Sequence, residues 1–339
     1  MAHKQILKDI LHTVIPAIVS VILVAWLFHK VDIKTVIFTL KAGCDYWWLL
    51  LMILVLVLSR SVRGVRWGLQ LRAAGVPRMP KFAEMVSIYG AYALNLVFTG
   101  VGEAWRCIYV ARRQKASLST VIGTDLGDRI SDAIVIVCLV VCTLFVARPA
   151  LDRFFDHYPL GRELSAIFTS PWFLMGLIII IGGILWLGFT HSDNRTVDKI
   201  KTECSRLWVG FKVLFTMPHQ FEYWGMTLLI WIFYFLMTYL CFFAFPFTKA
   251  LVTPEMAYGL LPGLVVFVFG SLSIAVPATG GLGPWNIAVI FALTLYGVDQ
   301  ADAATYSMVV WAFQTIAQIL LGVVAAIYVA ISRRKVTTT

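Results

Sequence analysis

The chain has 339 residues, 60% of them hydrophobic, and carries a formal net charge of +10. Soluble domains are only about 45–50% apolar, so this composition excludes a soluble globular protein and indicates a polytopic helical membrane protein. The positive charge does not indicate binding of nucleic acid, because the basic residues cluster beside the apolar runs, as cytoplasmic anchors do. The six cysteines show no metal-ligand spacing. We expect neither a metal nor a cofactor.

Apolar runs of about 20 residues, the length that crosses a bilayer, predict six full spans. These lie at about 10–28, 46–68, 118–147, 171–190, 224–245 and 303–331. Two other apolar stretches are interrupted by glycine-rich breaks: 84–98 resumes as 104–116, and 258–276 resumes as 285–297. Backbone groups freed by a break must be buried in protein or line a watery cavity. Each interrupted stretch therefore predicts a re-entrant helical hairpin; a pair of crossings would give the same orientation of the other spans.

The distribution of Lys and Arg predicts the orientation. Basic residues concentrate in 59–83, in 191–223 and at the C-terminus, which should all be cytoplasmic. A re-entrant hairpin returns to the side from which it entered, so only the six full spans change sides. Both termini are then predicted on the cytoplasmic side of the inner (plasma) membrane. The sequence thus predicts an all-α fold, one membrane domain over 1–339 built as an inverted-topology repeat. Its halves, about 10–147 and 171–331, would form the substrate site at their interface.

The first break carries charged candidates for substrate binding. It runs from Asn95 through Gly102 and Glu103 to Arg106. If a helix starts near Gly102, its free N–H groups and the Arg106 guanidinium would suit an anionic headgroup such as phosphate. In the alternative interpretation, Glu103 and Arg106 only pair with each other and fix the hairpin. We favour the headgroup role, because charges inside a membrane are usually functional.

An acidic stripe follows on the next predicted span. Asp125, Asp128 or Arg129, and Asp132 have the spacing of one helix face. Arg129 can neutralise only one of the three carboxylates. The others could face arginines of the first hairpin, a cation or a proton, or they could mark a partly solvated helix end.

Three arginines at helical spacing precede these elements. For Arg60, Arg63 and Arg66 we favour interfacial snorkelling, in which the apolar stem is buried and the charge reaches water. The alternative is a basic port that attracts anionic lipid at the inner leaflet.

The second break is uncharged. Gly280, Gly281, Gly283 and Asn286 could bind a ligand only through backbone N–H groups and the Asn286 amide. On the last predicted span, Gln314 either contacts substrate or, as we favour, makes an interhelical hydrogen bond.

Three elements, in this order, resemble the flippase-like lysylphosphatidylglycerol synthase transmembrane family, the membrane module of the multiple peptide resistance factor. These elements are Gly102-Glu103 with Arg106, Asp128-Arg129 with Asp132, and Gly280-Gly281 with Gly283. The resemblance covers about 10–331 and implies movement of a lipid between leaflets. The resemblance implies a substrate among aminoacylated phospholipids, other phospholipids, and polyprenyl- or hopanoid-type lipids.

Two features modify what the resemblance implies. Trp285 and Asn286 stand where the family often has a glutamate, which removes an acidic ligand from the second half. We expect no aminoacyl-transferase domain after Thr339, and therefore expect a separate lipid-synthesising enzyme as a partner, besides membrane lipids and a second copy of the chain. Two alternatives stay open: an intramembrane enzyme with Glu103 and Asp128 as acid and base, and a small-solute transporter.

Overall fold

A computed structural model describes residues 43–97, 100–146, 175, 195–253, 259–273 and 283–337. In these ranges the chain forms ten helices and no strand. The helices are α1 (Tyr46–Ala73), α2 (Lys81–Asn95), α3 (Val101–Gln114), α4 (Leu118–Val146), α5 (Arg195–Thr216), α6 (Gln220–Phe242), α7 (Pro246–Val252), α8 (Leu261–Ser273), α9 (Pro284–Thr294) and α10 (Gln300–Thr337).

Three of these helices, α1, α6 and α10, are long and apolar enough to cross a membrane. They confirm the apolar runs predicted at 46–68, 224–245 and 303–331 as helices. The run predicted at 118–147 is also one continuous helix, α4, of 29 residues. The run at 10–28, and that at 171–190 except for Met175, lie outside the described residues. The total of six spans therefore stays a prediction.

The first interrupted stretch is a helical hairpin. Its arms, α2 and α3, have 15 and 14 residues, about 22 Å each at 1.5 Å per residue, which is shorter than the ~30 Å bilayer core. Gly100 lies between the arms with φ of 85°. At Gly102 an added Cβ would lie 1.9 Å from the Ala91 carbonyl oxygen, so only glycine allows the arms to approach this closely. Re-entry into a membrane stays a prediction.

The helices of the two predicted halves have corresponding packing partners. α1 packs on α6; α1 also packs on α2, the first helix of the first interrupted stretch, and α6 packs on α8, the first helix of the second. Two further sets of contacts also correspond, because α4 packs on α3 and α8, and α10 packs on α9 and α2. The contact of α5 with α4 has no counterpart among the described helices. This pattern agrees with two equivalent halves, but packing alone does not give the direction of each half, so the inverted repeat stays a prediction.

A glycine–tryptophan contact holds the two arms of each interrupted stretch together. A Cβ at Gly90 of α2 would lie 2.5 Å from the ring of Trp105 in α3, and a Cβ at Gly270 of α8 would lie 2.9 Å from Nε1 of Trp285 in α9. In both cases the tryptophan follows the glycine by fifteen positions. The tryptophan therefore occupies space that any larger side chain on the first arm would fill.

Candidate functional site

Charged side chains from α1, α3 and α4 meet in the protein interior. We call this group the charge cluster; it consists of Arg63, Arg66, Arg106, Asp125, Asp128 and Asp132. The three aspartates lie on one face of α4, as their spacing predicts. That face is turned toward the arginines of α1 and of the first hairpin.

Asp128 is the centre of the charge cluster and is wholly buried. Its carboxylate accepts a hydrogen bond from Nη2 of Arg66 at 2.6 Å and from Nη2 of Arg63 at 3.1 Å. Nη2 of Arg106 lies 3.5 Å from the same carboxylate. A buried charge is tolerated when it is paired and hydrogen-bonded, and Asp128 meets both conditions through three arginines from two helices.

The two neighbouring aspartates are paired in the same way. Asp132 accepts hydrogen bonds from Arg63 and, at 3.1 Å, from Arg66, and Asp125 accepts one from Arg106. Each carboxylate of the stripe therefore has an arginine partner. The sequence leaves several partners open for these carboxylates, and the structure shows that Asp125 pairs with Arg106 of the hairpin. Asp128 and Asp132 pair with two arginines of α1, which the spacing did not predict as partners.

The snorkelling interpretation of the α1 arginines was wrong. The side chains of Arg63 and Arg66 are 2% and 0% exposed, and Arg60 is also buried. Snorkelling relieves an arginine that has no partner at depth. Here the aspartates of α4 provide partners inside the protein, so the guanidinium groups point inward.

Helix α6 lines the charge cluster with hydroxyl groups. Arg66 donates to Oγ1 of Thr227 at 3.0 Å, and Arg63 donates to the Tyr234 hydroxyl at 3.1 Å. Tyr223 shares a 2.7 Å hydrogen bond with the Ser131 hydroxyl on α4. Thr227 and Tyr234 were missed from the sequence, although polar residues at positions 223, 227 and 234 of an apolar run have the spacing of one helix face.

The tip of the first hairpin is fixed by Asn95. Its Oδ1 accepts a hydrogen bond from the Gly102 N–H at 2.8 Å, and its Nδ2 donates to Glu103 at 2.7 Å. Glu103 also accepts a hydrogen bond from Arg129. Glu103 and Arg106 therefore do not pair with each other but with different partners on α4. The Gly102 N–H is likewise engaged, so it is not free for an anion.

The second interrupted stretch has a similar amide contact. The Gly283 N–H donates to Oδ1 of Asn286 at 3.2 Å, and Nδ2 of Asn286 donates to the Ser307 hydroxyl on α10 at 3.4 Å. Gly280 and Gly281 lie outside the described residues. Gln314 is half-buried, and its side chain makes no hydrogen bond to another described residue.

The candidate residues of the first half therefore lie close together in the structure, whereas the described candidates of the second half do not contact them. No hydrogen bond or ion pair between described residues joins Gly283, Asn286 or Gln314 to the charge cluster. The candidates of the first half, which lie in the charge cluster or at its edge, are Asn95, Gly102, Glu103, Arg106, Asp125, Asp128, Arg129 and Asp132.

Long apolar helices around a buried ionic site define a helical membrane protein with a polar site inside its helix bundle. A family model described as the lysylphosphatidylglycerol synthase TM region matches residues 13–322, and the chain belongs to this family. The resemblance seen in the sequence is therefore confirmed, and it connects the protein with membrane lipids. No curated protein and no solved structure matches the chain.

Proposed function

We propose that the protein moves a lipid with a phosphate-containing headgroup between the leaflets of the inner membrane. The observation that carries this proposal is the charge cluster, which lies beside a short helical hairpin in a member of a lipid-related membrane family. Charged residues inside a membrane protein mark substrate or ion pathways. A headgroup would enter this polar interior while the acyl chains stay in the bilayer.

The pair formed by Glu103 and Arg129 is where a headgroup would first meet the site. These side chains are 26% and 42% exposed, whereas Asp128 and Arg66 are fully buried. The pair joins α3 to α4 and, through Asn95, the tip of the hairpin. A headgroup that exchanged partners with Glu103 and Arg129 would therefore act on the hairpin directly.

Transport is favoured over chemistry on the headgroup. A general acid must carry a proton to give, and a general base needs a free lone pair directed at the substrate. Asp128 accepts hydrogen bonds from two arginines, and Glu103 accepts from Arg129 and Asn95. Such contacts stabilise both carboxylates as ions whose oxygens are already occupied.

An inverted repeat would give the transport two alternating openings. Support comes from the corresponding helix packing and from the equal spacing of Gly90–Trp105 and Gly270–Trp285. The hairpin of the first half is charged, and α9 of the second half carries the neutral Asn286 at the place of Arg106 when the tryptophans are matched.

Leaflet exchange in proteoliposomes tests the proposal. Purified protein in liposomes with a fluorescent short-chain phospholipid should speed the exposure of that lipid to an outer-leaflet quencher, and the recovered lipid should have unchanged mass. Glu103→Gln should slow the exchange at least about tenfold, since one lost charge-assisted hydrogen bond amounts to about 1.5–3 kcal/mol. The matched control is Glu203→Gln, which removes an equivalent carboxylate from an exposed pair with Arg206 on α5 and should leave the rate unchanged.

Three results would contradict the proposal. The first is exchange no faster than in protein-free liposomes for anionic, zwitterionic and polyprenyl lipids. The second is a change in lipid mass without exchange, which would support an enzyme. The third is uptake of a soluble solute without lipid exchange, which would support a small-solute transporter.

A further inference from the structure

Arg60 differs from the other arginines around the charge cluster because no carboxylate of a described residue pairs with it. It lies on α1 one turn before Arg63. Its Nη1 donates to the Tyr234 hydroxyl at 2.7 Å, and its guanidinium carbon lies 3.6 Å from the centre of the Tyr92 ring. Its Nε is buried without a hydrogen-bond partner. This cation is therefore held by two tyrosines and keeps unused donors.

The formal charges of the network do not balance. Arg60 joins the charge cluster because it and Arg63 donate to the same Tyr234 hydroxyl. With the pair at the hairpin tip included, the described network has five cations and four anions. The cations are Arg60, Arg63, Arg66, Arg106 and Arg129, and the anions are Glu103, Asp125, Asp128 and Asp132. An uncompensated charge in a protein interior is strongly unfavourable, and the excess here is one positive charge.

We propose that Arg60, together with Tyr92 and Tyr234, binds one singly charged phosphodiester; this inference rests on the proposed function and names the ligand class of the same site. One negative charge would balance the network, whereas a phosphate monoester with two would leave an excess of negative charge. The planar guanidinium offers several donors to phosphate oxygens. Tyr92 and Tyr234 are half-buried, so part of each tyrosine is accessible to a ligand.

This assignment replaces Arg106 as the phosphate contact. Arg106 is committed to two carboxylates, Asp125 and Asp128. A phosphate that approached Arg106 would face both of those negative charges. At Arg60 the nearest described groups are tyrosines, and the positive charges of Arg63 and Arg129 also act on the Tyr92 hydroxyl. The electrostatic environment of Arg60 therefore favours an anion.

Binding in detergent micelles tests the inference without any step of leaflet exchange. Titration with dihexanoyl phosphatidylglycerol, a singly charged diester, is compared with titration with dihexanoyl phosphatidic acid, a monoester. The Arg60→Gln variant should bind the diester about ten- to a hundredfold more weakly, because it loses a charged donor, and Arg60→Lys should retain part of the affinity. Thermal unfolding of each variant checks that the protein is still folded.

Arg113 provides a matched control. It also lies between two tyrosines, donating to the hydroxyls of Tyr109 at 3.0 Å and Tyr328 at 3.4 Å, but it belongs to the last turn of α3, outside the charge cluster. We expect Arg113→Gln to leave the affinity unchanged. A third ligand, glycerophosphoglycerol, has the same diester without acyl chains. Tighter binding of the lipid identifies a lipid headgroup as the source of the diester, and equal binding identifies a free phosphodiester.

The inference is overturned if folded Arg60→Gln binds the diester as tightly as the wild type, or if the monoester binds more tightly than the diester at pH 8. These outcomes are separate from failure of the proposed function. Loss of diester binding in Arg60→Gln, with no leaflet exchange by the wild type, would support the site and contradict the transport. Leaflet exchange by the wild type, with diester binding by Arg60→Gln as tight as that of the wild type, would support the transport and contradict the site.

Discussion

Replacement of Asp128 by asparagine tests whether the charge cluster is as deeply buried and as fully paired as the structure shows. The change preserves the shape of the side chain and removes one negative charge. Asp128 and Arg66 are both 0% exposed, and Arg63 and Arg106 are 2% and 1% exposed. Water cannot replace the lost carboxylate at such a position. Removal of one partner from a buried ion pair costs about 3–5 kcal/mol, and we expect Asp128→Asn to lower the free energy of unfolding by this amount.

The measurement is an unfolding titration with sodium dodecyl sulfate in mixed micelles, followed by tryptophan fluorescence. Glu203→Gln is the control, because the contacts of Glu203 with Arg206 and Ser119 are exposed to solvent and contribute little stability; its unfolding midpoint should be close to that of the wild type. A double variant, Asp128→Asn with Arg66→Gln, removes one charge of each sign. Residues in one ion-pair network couple by about 0.5–3 kcal/mol, so the double variant should be less destabilised than the sum of the two single variants.

Two results would refute this reasoning. One is a midpoint for Asp128→Asn that coincides with that of Glu203→Gln, since an exposed carboxylate would behave in that way. The other is strict additivity in the double variant, which would mean that Asp128 and Arg66 do not share an interaction. The first result would place Asp128 in contact with water, and the second would remove Arg66 from its partners.

Two further predictions concern the hairpin and the orientation. Gly102→Ala should cost about 1–3 kcal/mol of stability, because the added Cβ would overlap the Ala91 carbonyl oxygen. The control is Gly225→Ala, which should cost nothing because no atom lies within 4 Å of its added Cβ. Equal unfolding midpoints for the two variants would contradict the close approach of α2 and α3. The segment 191–223 is predicted to be cytoplasmic, and the span α6 that follows it would place α7 on the outer side. In a cysteine-free background, Lys249→Cys on α7 should therefore react with an impermeant thiol reagent in intact cells, and Ser205→Cys should not; the opposite labelling would contradict the predicted orientation.

The helices were predictable because each follows from local sequence. A long apolar run can satisfy its backbone only within itself as a helix, which is why α1, α6 and α10 match their predicted runs. The first hairpin was predictable for a similar reason, since the glycines at 100 and 102 permit the turn and the close approach of its arms.

The pairing of the α1 arginines with the α4 aspartates was not predicted, although both partners had been singled out. Helical spacing placed the α1 arginines on one face and the α4 aspartates on another, but spacing does not show which face packs on which. Arg63 and Asp128 are far apart in sequence, so no local rule connects them. Two stripes of opposite charge on apolar helices were nevertheless a signal. Burial of either stripe alone would cost free energy, whereas the two stripes can pair with each other.

The correspondence between the two halves was also detectable in the sequence, as matching residues at a constant shift and not as a hydropathy pattern. A comparison at a fixed shift would have matched Gly90 with Gly270 and Trp105 with Trp285, with Thr99-Gly100 matching Thr279-Gly280 between them. The physical meaning of the match became visible only when the structure showed each tryptophan packed on its glycine.

Stability alone does not explain why the protein keeps so many charges in its interior. Replacement of a complete buried ion network by apolar residues of similar volume is often neutral or stabilising, whereas loss of one member is costly. The network around Asp128 therefore adds little net stability, although loss of any one of its residues would destabilise the protein. Among the described residues, its formal charges leave one cation, Arg60, beside tyrosines instead of a carboxylate. A purely structural network has no reason to retain that excess, whereas a site for an anion requires it.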